Sequence, residues 1–235
     1  MFDFSHQKIL VVGGSSGIGL ATAMLAGELG AAVTIASRSQ DKVRDAVARL
    51  KAEGCVLDLT QADAVERFFS GGTVWDHVIV TGSDVKMAAV KTLPMPDAMA
   101  AMDSKFWGFY RVARAAQIRP GGSLGVVAGF LATRPTAGRA LMGAINGALE
   151  SLVQGLALEL KPVRVNAISP AVVDTEMWHG LAPEARQAML ATLAEKYPAG
   201  TVGQPLDIAR QLLLLASTPY ATGTIITLDG GASLA

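Results

Sequence analysis

Residues 13–19 read Gly13-Gly14-Ser15-Ser16-Gly17-Ile18-Gly19, a G-x-x-x-G-x-G spacing set between a short β-branched run and an Ala/Leu-rich segment. At the start of a helix such a turn offers free backbone N–H groups and the positive end of the helix dipole to a phosphate, with no side chain in the way. The spacing departs from the commoner G-x-G-x-x-G, and glycines also serve plain tight turns. The strand-to-helix setting is what makes a nucleotide site the expectation. No Lys-Ser/Thr pair follows, which argues against an NTP-hydrolysing loop. Further on, Ser37-Arg38-Ser39 stands where a site selective for NAD(H) carries an acidic residue for the ribose 2′-hydroxyl. A guanidinium fork between two hydroxyls suits a 2′-phosphate instead, so NADP(H) is the expected cofactor unless Arg38 is only a solvated loop residue.

The remaining reactive side chains are sparse. Cys55 is the only cysteine, which excludes a disulfide framework and a cysteine zinc site and fits a cytoplasmic protein. His6, His77 and His179 show no metal-ligand spacing, so no metal is expected. Lys plus Arg and Asp plus Glu number 20 each. With no net field to draw in nucleic acid or an anionic membrane, any anion site must be local, and a small-molecule substrate is the expected partner.

These residues need a scaffold. The chain has 235 residues, 51% of them hydrophobic, enough to bury a substantial core. Short β-branched runs at 9–12, 32–36, 78–80, 124–127, 163–168 and 224–228 alternate with helical segments near 17–29, 40–50, 61–69, 97–117, 138–160, 184–196 and 205–216. That alternation predicts an α/β Rossmann-type doubly wound parallel sheet of about seven strands, helices on both faces. Ser39 and Thr60 precede helices as N-terminal caps, and Gly30 and Gly54 follow helices as C-terminal caps. The apolar stretch Ile18–Ala36 is broken by Gly27, Gly30 and Glu28 and so is not read as a membrane span. No linker divides the chain, so residues 1–235 form one domain, with the irregular connection 169–183 opening a substrate loop over about 169–200.

With further motifs in register, the sequence resembles the short-chain dehydrogenase/reductase family over essentially its whole length. Leu57-Asp58-Leu59-Thr60 is similar to the family's acidic turn, Val163-Arg164-Val165-Asn166-Ala167-Ile168-Ser169-Pro170 to its sixth strand, and Asp229-Gly230-Gly231 to its C-terminal signature. The resemblance implies that Asp58 and Leu59 contact adenine, and that Thr81-Gly82-Ser83 lies under the cofactor in place of Asn-Ala-Gly. It also implies that Val173 and Thr175 hold the nicotinamide carboxamide and that Pro170 lies at the cofactor, although Ala171 replaces the usual glycine. A homodimer or homotetramer built on segments 97–117 and 138–160 is implied as well.

The catalytic positions depart from the pattern. The family uses a Tyr acid/base, a Lys four residues later, a Ser thirteen residues before the Tyr, and an Asn on the fourth helix. Alignment on Ala148-Leu149-Glu150-Ser151-Leu152 puts Met142 at the Tyr, Asn146 at the Lys, Gly129 at the Ser and Lys105 at the Asn. Met donates no proton, Gly has no hydroxyl, and neutral Asn cannot lower a phenol's pKa.

Lys105 is therefore the expected catalytic residue, desolvated beside Phe106–Tyr110 to a pKa suited to proton exchange, unless it only fills the Asn slot. Gly129, Met142, Asn146, Met177, Trp178 and His179 are expected to line the substrate pocket, with Asp84, Arg134 and Arg139 near its mouth. Met87, Met95, Met99, Met102 and Trp107 would make it adaptable and apolar. The expected activity is an NADP(H)-dependent oxidoreductase of a small, largely apolar aldehyde, ketone or alcohol. The alternative is an NADP(H)-binding sensor or regulatory protein without catalysis.

Overall fold

The computed structural model describes residues 3–50, 52–83 and 85–235. Seven strands run in chain order as β1 (Lys8–Val12), β2 (Ala32–Ser37), β3 (Glu53–Val56), β4 (Trp75–Val80), β5 (Ile118–Val127), β6 (Arg164–Pro170) and β7 (Ile225–Leu228). Between them lie α1 (Gly17–Glu28), α2 (Gln40–Leu50), α3 (Ala62–Phe69), α4 (Met95–Met102), α5 (Gly108–Ala115), α6 (Ala140–Glu159), α7 (Pro183–Lys196) and α8 (Pro205–Ser217). The strands form one sheet in the order β3-β2-β1-β4-β5-β6-β7, every pair parallel.

The sheet is covered on both faces, which is why its central strands read as unbroken apolar runs. Successive side chains point to opposite faces, so Leu10 and Val12 join one core with Val78, Val80, Phe109, Ile145 and Leu149, while Ile9 and Val11 join the other with Ile35, Ala23, Ile208 and Leu212. The chain winds outward from β1 to β3, then returns to lay β4 on the other side of β1. At that reversal the connections leave in opposite directions, opening a crevice beyond the carboxyl ends of β1 and β4.

Four local expectations are corrected. Strand β3 was not among the six runs read from the sequence. It is an edge strand paired only with β2, and its residues Glu53-Gly54-Cys55-Val56 lack an apolar stripe. Gly54 lies inside that strand rather than capping a helix, because α2 packs down on it: a Cβ there would come within 2.4 Å of Val47 and 2.7 Å of Val43. Thr60 does not cap α3; its N–H and hydroxyl both donate to Asp58 Oδ1 at 2.9 Å, and Gln61 takes the cap position. Segment 97–117 is not α-helical throughout, since a π turn at Asp103–Trp107 interrupts the helix between α4 and α5. Gly30, in contrast, follows α1 at φ +92°, and Ser39 Oγ accepts from Lys42 N–H at 3.3 Å as α2 begins.

Candidate active site

The glycine turn sits at the reversal. Gly13 has φ +86°, and a Cβ on it would lie 2.4 Å from Gly82 N and 2.8 Å from Thr81 Oγ1. A Cβ on Gly19 would lie 2.1 Å from Gly13 O, and one on Gly14 2.7 Å from Ile35 Cγ2. Thr81 donates from both its N–H and its hydroxyl to Val12 O, at 2.9 and 3.1 Å, holding the ends of β4 and β1 together. The absent side chains at 13, 14 and 19 thus let the turn pack closely on the strand ends around it. The start of α1 is open to an anion: among the described residues no side chain caps it and no acidic residue lies in its first turn. Its N–H groups and dipole are left for an anion.

Ser15 and Ser16 lead from this turn into a cleft of about 180 Å³. Gly13, Gly82 and Ser83 form its floor; Ser37, Arg38 and Ser39 stand on one wall; and Leu57, Asp58, Leu59 and Thr60 stand on the other. Ser15 Oγ donates to Ser37 Oγ at 2.8 Å, tying the turn to the exit of β2. Most of the residues expected to hold the cofactor are therefore brought into one cleft. Two others lining it, Lys42 and Ser104, were missed. For Lys42 a signal existed, a second cation four residues after Arg38 in the first turn of a helix; for Ser104 there was none beyond its adjacency to Lys105. The cleft fits NADP(H), with two cations for the 2′-phosphate, leucines for adenine and a bare helix start for the diphosphate.

At the far side of the π turn, Lys105 Nζ donates to Asn146 Oδ1 at 2.7 Å and to Ala128 O at 2.9 Å, with Met142 Sδ at 3.8 Å. The three acceptors come from the β5 exit and two successive turns of α6. Burial pushes the Lys105 amine down from 10.5 to about 8. Gly129 lies against the same group, since a Cβ on it would fall 2.6 Å from Asn146 Nδ2. An ammonium has three donors, and here two meet strong oxygen acceptors while the third meets only a thioether. The positions that the family resemblance assigned to Asn, Lys, Tyr and Ser thus form one cluster, with lysine and asparagine exchanged between the two helical segments.

The loop after β6 departs from expectation. Trp178 Nε1 donates to Val173 O at 3.0 Å, and Val173 is buried, bridging to Gly203. That anchor turns the neighbouring residues outward: Met177 is 65% exposed, and His179 lines a separate cavity of about 250 Å³ with Gly17, Asp174, Thr175, Glu176 and Arg186. Met177 and His179 are thereby corrected as lining of the Lys105 cluster. Thr175 packs against Gly17, 3.2 Å from where a Cβ would be, so the loop meets the glycine turn from outside. Pro170 closes β6 and is buried, and Ile18 packs into the core against α8 rather than into the cleft.

The methionines do not form one pocket either. Met95 and Met99 point to solvent and Met102 packs on the core, which leaves Met142 beside Lys105. Arg139 Nη1 lies 2.9 Å from Met87 Sδ, and Arg134 Nη2 donates to Ala235 O at 2.5 Å. Asp84 lies outside the described residues. His77 is buried within the fold, where Nε2 meets Gln7 Oε1 at 2.7 Å and Nδ1 meets Ser123 Oγ at 2.8 Å.

A doubly wound parallel sheet with a cleft at its strand-order reversal defines a Rossmann-type single domain. The family model described as enoyl-(acyl carrier protein) reductase matches residues 12–233. The chain is 32% identical to the short-chain dehydrogenase/reductase ATR9 of Stachybotrys chlorohalonatus, the alignment covering 97% of each protein. Among solved structures it is similar to a small-chain dehydrogenase in complex with NADPH, with TM-score 0.84 and 32% identity over 97% of this chain and 99% of that one. It is also similar to an NADPH-bound short-chain oxidoreductase from Pseudomonas aeruginosa PAO1 described as containing an atypical catalytic center, with TM-score 0.91 and 28% identity over 98% of both. The chain belongs to the short-chain dehydrogenase/reductase family, whose named members here are oxidoreductases.

Proposed function

We propose that this protein is an NADP(H)-dependent oxidoreductase of a small, largely apolar aldehyde, ketone or alcohol, with Lys105 in place of the usual tyrosine as proton donor and acceptor. The observation that carries this reading is the Lys105 ammonium, held by Asn146 Oδ1 and Ala128 O with its third donor facing a weak sulfur acceptor. When bound, the cofactor supplies hydride transfer at its nicotinamide. Arg38 and Lys42 bind its 2′-phosphate, Asp58 and Leu59 flank its adenosine, and the start of α1 holds its diphosphate.

A substrate oxygen replaces the thioether of Met142 as the third acceptor, because oxygen is the stronger hydrogen-bond partner for an ammonium. Asn146 and the Ala128 carbonyl keep Nζ from swinging away as charge builds on that oxygen. Lys105 then gives up one proton, leaving a neutral amine whose two remaining N–H groups still donate to Asn146 Oδ1 and Ala128 O. An amine brought near neutrality by burial does this efficiently in either direction. The reading is supported by the NADPH in both similar solved structures, one of them with an atypical catalytic center. The same proposal includes self-association through segments 97–117 and 138–160, where Met99, Trp107 and Leu158 expose apolar side chains.

Two measurements test it. NADPH should bind more tightly than NADH by about 10- to 100-fold, the worth of charge-assisted bonds to one phosphate, and Arg38→Asp should abolish the preference. Equal wild-type affinities would remove the 2′-phosphate assignment. A panel of apolar aldehydes and ketones should be reduced with NADPH, whereas intact NADPH binding with no turnover across the panel would leave the sensor reading in its place.

A further inference from the structure

We propose that Arg111 is a positioning residue that couples the adenosine side of the cleft to Lys105. The inference rests on the proton-donor role given to Lys105 above and adds how that lysine is held in place. Lys105 occupies the middle of the π turn Asp103–Trp107, and its neighbour Ser104 lines the cofactor cleft beside Asp58, Leu59 and Thr60. One five-residue turn therefore presents one side chain to the cleft and the next to the reaction cluster.

The turn is closed by Gly108 N–H donating to Asp103 O, five residues back. Arg111 grips both ends of this arrangement. Its Nη2 donates to Asp103 Oδ1 at 2.6 Å, and its Nη1 donates to Leu59 O at 2.9 Å while lying 3.4 Å from Asp103 O, the carbonyl that closes the turn. Gly108 completes the link by lying so close to the adenosine wall that a Cβ on it would be 3.0 Å from Leu59 Cβ.

A π turn holds more residues than an α turn and persists where something stabilises it. Relaxation to α geometry rotates the residues on one side of it by about 100° relative to the other, the angle per residue of an α-helix. Such a rotation takes Lys105 Nζ away from Asn146 Oδ1 and Ala128 O. A ligand that packs on Leu59 and Ser104 stiffens the wall that Arg111 holds, and so favours the arrangement in which Lys105 points at the cluster. As a partly exposed ion pair, Arg111–Asp103 contributes little stability by itself, so its consequence is geometric.

The probe is adenosine 2′,5′-bisphosphate, which fills the adenosine end of the cleft and has no nicotinamide to reach Lys105. Trace acetylation with acetic anhydride across pH, read by mass spectrometry, reports both the reactivity and the titration midpoint of the Lys105 amine. In the wild type the probe should slow Lys105 acetylation at pH 8 by threefold or more. In Arg111→Met the probe should still bind but leave Lys105 unaffected, and the Lys105 midpoint should rise by a unit or more as the amine reaches water. Arg111→Lys, which keeps the charge but replaces the rigid planar fork with a compact ammonium on a flexible stem, should recover part of the effect. Asp103→Asn, which keeps the bond to Leu59 O, should fall between wild type and Arg111→Met, and serves if the latter fails to fold.

Probe binding to the wild type with no change at Lys105 overturns the coupling, as does an undiminished effect in Arg111→Met or Asp103→Asn. Failure of the probe to bind at all overturns the coupling together with the cofactor assignment. Turnover that survives loss of the Lys105 amine would instead remove the proton-donor role while leaving the coupling measured here intact, so the two failures are distinguishable.

Discussion

A partly buried lysine acting as the proton donor leaves a signature in the pH dependence of turnover. With its amine at about 8, Lys105 is about nine-tenths ammonium at pH 7 and about one-tenth at pH 9. Carbonyl reduction needs the ammonium, so kcat/KM for reduction should fall about tenfold between those pH values; alcohol oxidation, which needs the free amine, should rise over the same interval. A lysine at its ordinary value of 10.5 would stay protonated throughout and give a flat profile. Lys105→Met removes the proton donor and should lower turnover by about 10²- to 10⁴-fold, with the fold checked by circular dichroism and NADPH binding by titration. Lys105→Arg keeps a cation that does not deprotonate, so whatever rate remains should be independent of pH from 7 to 9. The assay is NADPH oxidation followed at 340 nm, at saturating NADPH and limiting aldehyde. A flat wild-type profile, or turnover in Lys105→Met within tenfold of wild type, would refute the role.

Two further outcomes follow from neighbouring geometry. Gly129→Ala places a Cβ 2.6 Å from Asn146 Nδ2 and must push that amide off Lys105, so kcat should drop by about tenfold or more while NADPH affinity holds; unchanged kcat would show that Asn146 does not hold the lysine. His77 is neutral in the fold, with its proton on Nε2 because Gln7 Oε1 can only accept, and burial pushes its pKa from 6.5 down to about 4. The unfolded chain takes up a proton below pH 6.5 and the folded protein only below about 4, so stability falls with pH across that window. By pH 4.5 the loss should reach about 2.5 kcal/mol. Urea unfolding at pH 7 and 4.5 should show this loss in wild type and not in His77→Gln, whereas equal losses in both would assign the acid sensitivity to other groups.

Much of the scaffold was legible because the forces that write it are local. Val33-Thr34-Ile35 and the run from Ile9 to Val12 are stretches that suit strands covered on both faces, and they are strands; Gly30 needed a left-handed backbone after a helix, and has it. Glu53–Val56 escaped because an edge strand is specified by its neighbour β2 rather than by its own pattern, and Gly54 was misread because the reason for glycine there, the approach of Val43 and Val47, lies on another element.

The site divides in the same way. Ser37-Arg38-Ser39 and the glycine turn were visible as consecutive residues at one strand exit each, and the family resemblance aligned Lys105, Gly129, Met142 and Asn146 one by one. Their chemistry, however, is a matter of distance. Lys105 and Asn146 are 41 residues apart, and only the order of strands in the sheet and the packing of α6 on β6 and on the π turn set their polar atoms 2.7 Å apart. The Trp178–Val173 anchor turned Met177 and His179 away, the packing of α2 brought Lys42 to the cleft, and the π turn brought Ser104 there. Residue types and their local spacing are carried by the backbone itself, whereas contacts across a sheet depend on how every intervening element packs, and that is settled only when the whole chain folds.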